Sequence, residues 1–140
     1  MPENKLKKDE LQERIRQAPF HKWLDLNVKD VTEEGIVVSV GWREEFVVNA
    51  ERGYSHGGIL ATVIDVAADY ALAAKLGRPL PTIDMRVDYH RPAMQGELTA
   101  KARVIKLGGS FCTAEAEIFD GDGRLLASGR GVYYSAETTR

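Results

Sequence analysis

Hydrophobic residues in this chain follow two repeats, one helical and one strand-like, in a simple order. Between Lys5 and Gln17, Leu6, Leu11 and Ile15 recur at rough helical spacing, and Pro19 ends the run. Phe20, Trp23 and Leu24 pack a short turn after it. Leu26 to Thr32 reads as a strand and Glu33-Glu34-Gly35 as a turn. Ile36, Val38, Val40 and Trp42 then alternate with their neighbours at the two-residue period of a second strand. From His56-Gly57 to about Lys75 the chain reads as one long helix, Ala-rich on nearly every face, which predicts deep burial. Gly77 is its expected left-handed cap, with Pro79 beyond. Four strands are predicted to follow: Thr82 to Tyr89, with Ile83, Met85, Val87 and Tyr89 on one face; Leu98 to Leu107; Ser110 to Phe119; and Arg124 to Tyr134. Gly108-Gly109 and Asp120-Gly121-Asp122-Gly123 supply the last two turns. One long apolar helix followed by an antiparallel meander predicts an α+β fold with the sheet wrapped around that helix.

The chain has 140 residues and carries no internal repeat, low-complexity tract or linker, so a single domain over 1–140 is expected, with 1–25 as an N-terminal helical extension. Hydrophobic residues make up 44% and charged residues 29%, ordinary values for a globular chain in water. The net charge of −2 and the lack of a basic stripe argue against nucleic acid as the main partner. No apolar stretch is long enough to span a bilayer, and Met1-Pro2-Glu3-Asn4-Lys5 leads into no apolar signal region, so a cytoplasmic protein is expected. Cys112 lies beside Ala114 and Ala116 in a strand-like run, the setting of a buried core thiol. His21, His56 and His90 are scattered, and no Cys/His spacing suits a metal.

The candidate chemistry sits on the long helix, in His56-Gly57-Gly58-Ile59-Leu60-Ala61-Thr62-Val63-Ile64-Asp65. Gly57 and Gly58 bring bare backbone N–H groups to a helix start, where unsatisfied donors and the helix dipole favour developing negative charge. Asp65 then interrupts a face made of Ile59, Leu60, Val63, Ile64, Ala67 and Ala68. An acid unpaired on such a face costs stability and calls for an explanation. Anion-stabilising amides together with a carboxylate suit acyl transfer to water.

From Asn49 to Tyr134 the chain resembles the hotdog-fold acyl-CoA thioesterases, in particular the group typified by the phenylacetate-pathway enzyme. The residues that carry the likeness are Asn49, His56-Gly57-Gly58, Asp65 nine residues after His56, and Thr82-Ile83-Asp84-Met85-Arg86-Val87-Asp88-Tyr89-His90-Arg91-Pro92. Gly108-Gly109-Ser110 and Leu126-Ala127-Ser128-Gly129-Arg130-Gly131 extend it. The resemblance implies that the Gly57 amide polarises a thioester carbonyl and that Asp65 attacks it or activates water. It further implies that Asn49 helps place the carbonyl or the acid, and that the Thr82 hydroxyl holds the attacking water. Each of the last two has a plain competitor: Asn49 bonding its own loop backbone, and Thr82 simply opening a strand. His56, at a helix N-terminus, is expected to orient rather than to exchange protons. Asp69, one turn beyond Asp65, has two readings, a second acid or a partner to Arg86 or Lys75, and the pairing is the one expected.

The resemblance implies an aromatic acyl group from ring catabolism, with Tyr54, Tyr70, Met85 and Tyr89 able to line its pocket or simply to fill core. Substrate contacts are expected at Tyr54, Gly58, Gly109 and Ser110, and at Arg91 and Lys106 against the phosphates of coenzyme A. Solvated strand-end cations are the competing reading of the last two. Coenzyme A is then part of the substrate, and no separate cofactor is called for. Eight residues of helix, a rise of roughly 12 Å, separate Gly57 from Asp65, too far to serve one carbonyl from one chain. Two antiparallel helices from paired subunits could serve it, so a dimer or dimer of dimers is expected. Two other classes compete. A hotdog hydratase would need a histidine after Asp65, which the helix lacks, and a non-catalytic acyl-CoA-binding regulator would need an added DNA-reading module, for which the residues before the core are too few.

Overall fold

The computed structural model describes residues 1–137, so the last three residues of the expected 1–140 domain lie outside the described residues. Helix α1 spans Lys8–Ile15 and turns Leu11 and Ile15 into the core; α2 spans Pro19–Trp23, with proline in its first turn. Strands β1 (Leu26–Val31) and β2 (Gly35–Val40) form a hairpin ahead of the long helix α3 (Gly57–Leu76). Strands β3 (Thr82–Tyr89), β4 (Leu98–Lys106), β5 (Phe111–Phe119) and β6 (Leu125–Tyr134) complete the chain. The six strands form one sheet in the order β1-β2-β4-β5-β6-β3, and every neighbouring pair is antiparallel. This is the α+β architecture that the periodicity predicts, with α3 packed on β2, β4, β5, β6 and β3.

One boundary differs from the sequence expectation for a local reason. The N-terminal helix starts at Lys8 rather than Lys5 because the Lys5 and Leu6 amides both donate to the Ala74 carbonyl, at 2.7 and 3.1 Å, closing the C-terminus of α3. The buried Lys75 ammonium donates to the Pro2 carbonyl at 2.8 Å in the same closure. Gly77 adopts φ 85° and donates back to the Ala73 carbonyl, the expected left-handed cap.

The sheet has two edges, and they are treated differently. Along β1, Gln12 of α1 acts as a stand-in strand: its Nε2 donates to the Leu26 carbonyl and its Oε1 accepts the Val28 amide. Along β3, no described residue occupies the outer edge. The predicted apolar face of β3 is accordingly only partly covered, with Ile83 56% and Tyr89 54% exposed while Met85 and Val87 are half-buried. Among the described residues no helix is long and apolar enough to cross a membrane.

Close approach of α3 to β6 depends on small residues. A Cβ on Gly129 would lie 2.6 Å from the Arg86 carbonyl oxygen of β3 and 2.9 Å from the Ile64 side chain of α3. Neither neighbour is free to retreat, since one is backbone and the other is a buried core residue. Gly129→Ala is therefore expected to cost about 1–3 kcal/mol, the usual range for overpacking, measured as a lowered urea midpoint. An unchanged midpoint would show that the helix has slack at this contact.

Candidate active site

The sequence-predicted residues gather at two places along α3. The first is its N-terminus. His56 is the N-cap residue; its amide donates to the Phe46 carbonyl at 2.7 Å, which fixes how the chain enters the helix. Its Nδ1 accepts the Gly58 N–H at 2.8 Å, and its carbonyl accepts the Ile59 N–H at 3.1 Å. His56 thus caps the first turn of α3. The N–H of Gly58, a residue expected to meet substrate, is engaged by the His56 ring nitrogen, which caps the helix start. The Gly57 N–H is left without an acceptor among the described residues. Gly57 is held from below by Tyr89, whose hydroxyl donates to the Gly57 carbonyl at 2.8 Å. A shallow cleft of about 320 Å³ opens here, lined by Tyr54, Gly57, Leu60, Tyr89, Arg91 and Pro92 among others.

Asn49 lies outside that cleft's lining. Its Oδ1 accepts the Arg52 N–H at 2.8 Å and its Nδ2 donates to the Tyr54 hydroxyl at 3.3 Å. In the single chain its side chain therefore serves its own turn and reaches the cleft only through Tyr54.

The second place is Asp65, two turns along α3 and partly exposed. The acid is not unpaired, as the apolar helix pattern suggests. Its Oδ1 accepts the Thr82 hydroxyl at 2.8 Å and the Tyr133 hydroxyl at 3.0 Å. Tyr133 also reaches the Asp65 backbone carbonyl at 3.2 Å. Thr82 and Tyr133 are directly opposed across the β3–β6 ladder, so two neighbouring strands aim donors at one oxygen. No described residue donates to the other oxygen, Oδ2.

Tyr133 is fully buried, and a Cβ on Gly131 would stand 2.5 Å from its ring, so glycine two residues earlier makes its seat. Burial and the neighbouring Asp65 charge both push the Tyr133 hydroxyl above its ordinary value, which keeps it a proton donor. Sequence reasoning missed this residue. The available signal was the inward alternation Ala127, Gly129, Gly131, Tyr133 on β6, in which one polar side chain follows three small ones on the face that meets the acid's helix.

Asp69 pairs with neither Arg86 nor Lys75. Arg86 turns away to Asp88, 3.3 Å distant, and Lys75 is engaged by Pro2. The Asp69 carboxyl instead accepts the Leu80 N–H at 2.8 Å. Burial pushes it up to about 7 from its ordinary 3.8; the Leu80 N–H opposes that rise and the Asp65 charge adds to it.

Lys106, Gly109 and Ser110 lie around the β4–β5 turn and do not line the Gly57 cleft. The Ser110 carbonyl accepts the Ser135 amide, just past the end of β6 that carries Tyr133. Within one chain, then, Tyr54, Gly57 and Arg91 stand at one end of β3, while Asp65 and Thr82 stand at its other end, the end nearer Ser110.

The sequence model of the thioesterase superfamily matches residues 52–127, more than half of the chain. The chain belongs to the thioesterase superfamily. Its architecture is the hotdog fold and its activity is thioester hydrolysis. A solved thioesterase-superfamily protein is 46% identical and superposes with a TM-score of 0.89 over 91% of this chain and 96% of that one. A second, from Shewanella oneidensis and described as related to the superfamily, is 29% identical with a TM-score of 0.80, over 92% and 97%. The medium/long-chain acyl-CoA thioesterase YigI of Salmonella typhimurium is 27% identical over 135 residues, covering 85% of this chain and 86% of that protein. The PaaI protein of Escherichia coli, from the phenylacetic acid degradation operon, shares the fold with a TM-score of 0.72 at 24% identity, over 81% and 85%.

Two outcomes follow from these hydrogen bonds. Tyr133→Phe keeps the buried ring and removes only the hydroxyl, so thioester turnover is expected to fall about tenfold in kcat with KM little changed, as for loss of one bond to a charged group. Steady-state kinetics with an unchanged kcat would remove Tyr133 from the site. The raised Asp69 carboxyl predicts a pH-dependent stability. The folded state holds this proton more tightly than the unfolded chain, so stability is lost as pH rises from about 4 to about 7. Asp69→Asn should therefore gain in unfolding midpoint relative to the wild type between about pH 4 and pH 8. A constant difference across that range would contradict the assignment.

Proposed function

We propose that the protein hydrolyses an acyl-CoA thioester to the free acid and coenzyme A, at a site shared between two copies of the chain. The Gly57 N–H of one copy receives the developing charge on the thioester carbonyl oxygen. Asp65 of the other copy acts through Oδ2, either taking a proton from the water that attacks the carbonyl carbon or attacking that carbon itself before water releases the acyl group. In the first route the carbon–sulfur bond breaks as the tetrahedral adduct collapses, and the proton that Asp65 took from water passes to the coenzyme A sulfur. In the second the sulfur is expelled as the acyl–Asp65 anhydride forms, and the water that cleaves the anhydride supplies the hydroxyl of the free acid and the proton of the thiol.

One observation carries this reading: the free amide and the free carboxylate oxygen belong to residues eight positions apart on one helix, a rise of about 12 Å, while a base must lie about 3 Å from its proton or one water away. Two further observations support it. The Thr82 end of the reading lies on the uncovered edge β3, whereas the opposite edge is sealed by Gln12. The stretch of α3 left partly open includes Gly58, Ala61, Thr62 and Asp65, one side of the helix at helical spacing. Antiparallel pairing of two β3 edges would bring Tyr54, Gly57 and Arg91 of one copy to Asp65, Thr82, Lys106 and Ser110 of the other, uniting the two expected groups of substrate contacts. A dimer is thus the active unit, with a dimer of dimers as the larger assembly.

The acyl group we propose is aromatic, because the Tyr54 and Tyr89 rings line the cleft beside Gly57. A medium or long alkyl chain is the second reading, favoured by the similarity to YigI over most of both chains. A hydrolysis screen with phenylacetyl-, benzoyl-, butyryl-, decanoyl- and palmitoyl-CoA separates them; preference for the last two would overturn the aromatic assignment.

Asp65→Asn is expected to leave the fold intact and to lower kcat by at least ~100-fold. Retention of more than about a tenth of wild-type turnover rejects Asp65 as the reacting group. The shared site is tested by mixing two inactive chains, Asp65→Asn and Gly57→Pro, the latter lacking the amide proton. Each mixed dimer has one site with both defects and one with neither, so random reassortment should restore roughly a quarter of wild-type activity. Verified mixed dimers as inactive as either parent, or an active monomer in light scattering, would sink the shared site.

A further inference from the structure

Asp69 is a half-buried acid that the reaction proposed above does not use. It lies one helical turn beyond Asp65 and accepts the Leu80 N–H at 2.8 Å. Leu80 is buried, and the next residue, Pro81, has its carbonyl held by the Tyr134 N–H at 2.9 Å. Thr82 follows at once and donates to Asp65 at 2.8 Å. The chain therefore closes a ring: Asp65, one turn of α3, Asp69, the Leu80 amide, Pro81, Thr82, and back to Asp65. Asp69 fixes one end of the short segment that delivers the Thr82 hydroxyl, and β6 fixes its middle.

We propose that Asp69 is a positioning residue for Asp65: by accepting the Leu80 N–H it ties the entry of β3 to α3 and so keeps the Thr82 hydroxyl on the Asp65 carboxylate. The inference rests on the reading of Asp65 as the reacting group. Asp69 itself touches no substrate. Its carboxyl is also the acceptor that changes state near neutrality, since burial pushes it up to about 7. The titratable and charged groups around it are Asp65 and Tyr70 on its own helix, Tyr133 on β6, and Arg14 of α1 beyond Tyr70. Above about pH 7 the bond from the Leu80 amide becomes charge-assisted and tightens; below it, the neutral carboxyl holds the loop more weakly. The hold on Thr82, and with it kcat, rises with pH through that region.

The test measures kcat and KM from about pH 5 to about pH 9 for the wild type, Asp69→Ala, Asp69→Asn and Asp65→Asn, on phenylacetyl-CoA or decanoyl-CoA, whichever the wild type hydrolyses. Asp69→Ala is expected to lose about tenfold in kcat at pH 8 with KM within about twofold, the mark of misplacement rather than lost binding. Asp69→Asn retains an oxygen for the Leu80 amide, so it should recover most of that loss while lacking the rise near pH 7. Asp65→Asn should be inactive throughout. A wild-type kcat in Asp69→Ala, or a rise near pH 7 that survives in Asp69→Asn, overturns the positioning role even if Asp65→Asn is dead. An active Asp65→Asn shows instead that the underlying assignment has failed, and the inference falls with it. Should the alanine variant not fold, the pH profile of Asp69→Asn decides alone.

Discussion

A helix of twenty residues whose polar side chains number five, Thr62, Asp65, Asp69, Tyr70 and Lys75, has to be enclosed, and the enclosure of α3 is the constraint from which the rest of this structure follows. The sheet supplies most of the enclosure, and it can do so only by coming close. Ala127, Gly129 and Gly131 present almost no side chain from β6, so Ile64 and its neighbours press onto the strand. Close contact then decides what a polar group on the helix can reach. The Tyr133 ring fits because Gly131 gives way, and its hydroxyl arrives at Asp65 because helix and strand are so near.

The polar groups in this packing are arranged asymmetrically. Two hydroxyls converge on one oxygen of Asp65, which fixes the carboxylate while leaving its second oxygen without a donor among the described residues. At the helix start, His56 satisfies Gly58 and leaves the Gly57 amide open, where the dipole of a long helix strengthens its pull on negative charge. One acid oxygen and one amide are thus kept available on the same helix by neighbours that satisfy everything around them. The proposed reaction needs such a pair, and the length of helix between them is what turns that need toward a second chain.

A similar asymmetry governs the sheet edges. Unpaired strand edges invite other strands, and this chain covers one with a glutamine side chain from α1 while leaving the other bare. The bare edge belongs to β3, which also carries Thr82 at one end and Tyr89 at the other. Ile83 and Tyr89 remain exposed on it, since a strand at the margin of a sheet overhangs the single helix meant to cover its face. The same strand therefore ends beside both halves of the candidate site.

Much of this was legible in the sequence because it depends on local rules. The helical and two-residue periods of the apolar positions fix which segments become α3 and the strands, and Gly77 and Pro79 mark where the helix stops. The helix start with its two glycines and the acid nine residues after His56 could be named for the same reason: both are features of one continuous segment. The partners of those groups could not. Tyr133 lies 68 residues from Asp65 and meets it only because β6 runs beneath α3. The Leu80 amide that holds Asp69, and the Gln12 side chain that seals β1, are likewise set by how distant segments are stacked. By itself the sequence determined the elements, the fold class and the candidate residues of α3, since periodicity and helix-end rules act over a few neighbours. Only the tertiary structure decided which oxygen of Asp65 is held, which glycine amide is left open and which strand edge stays uncovered, because hydrogen-bond satisfaction depends on distances across the fold that no local pattern encodes.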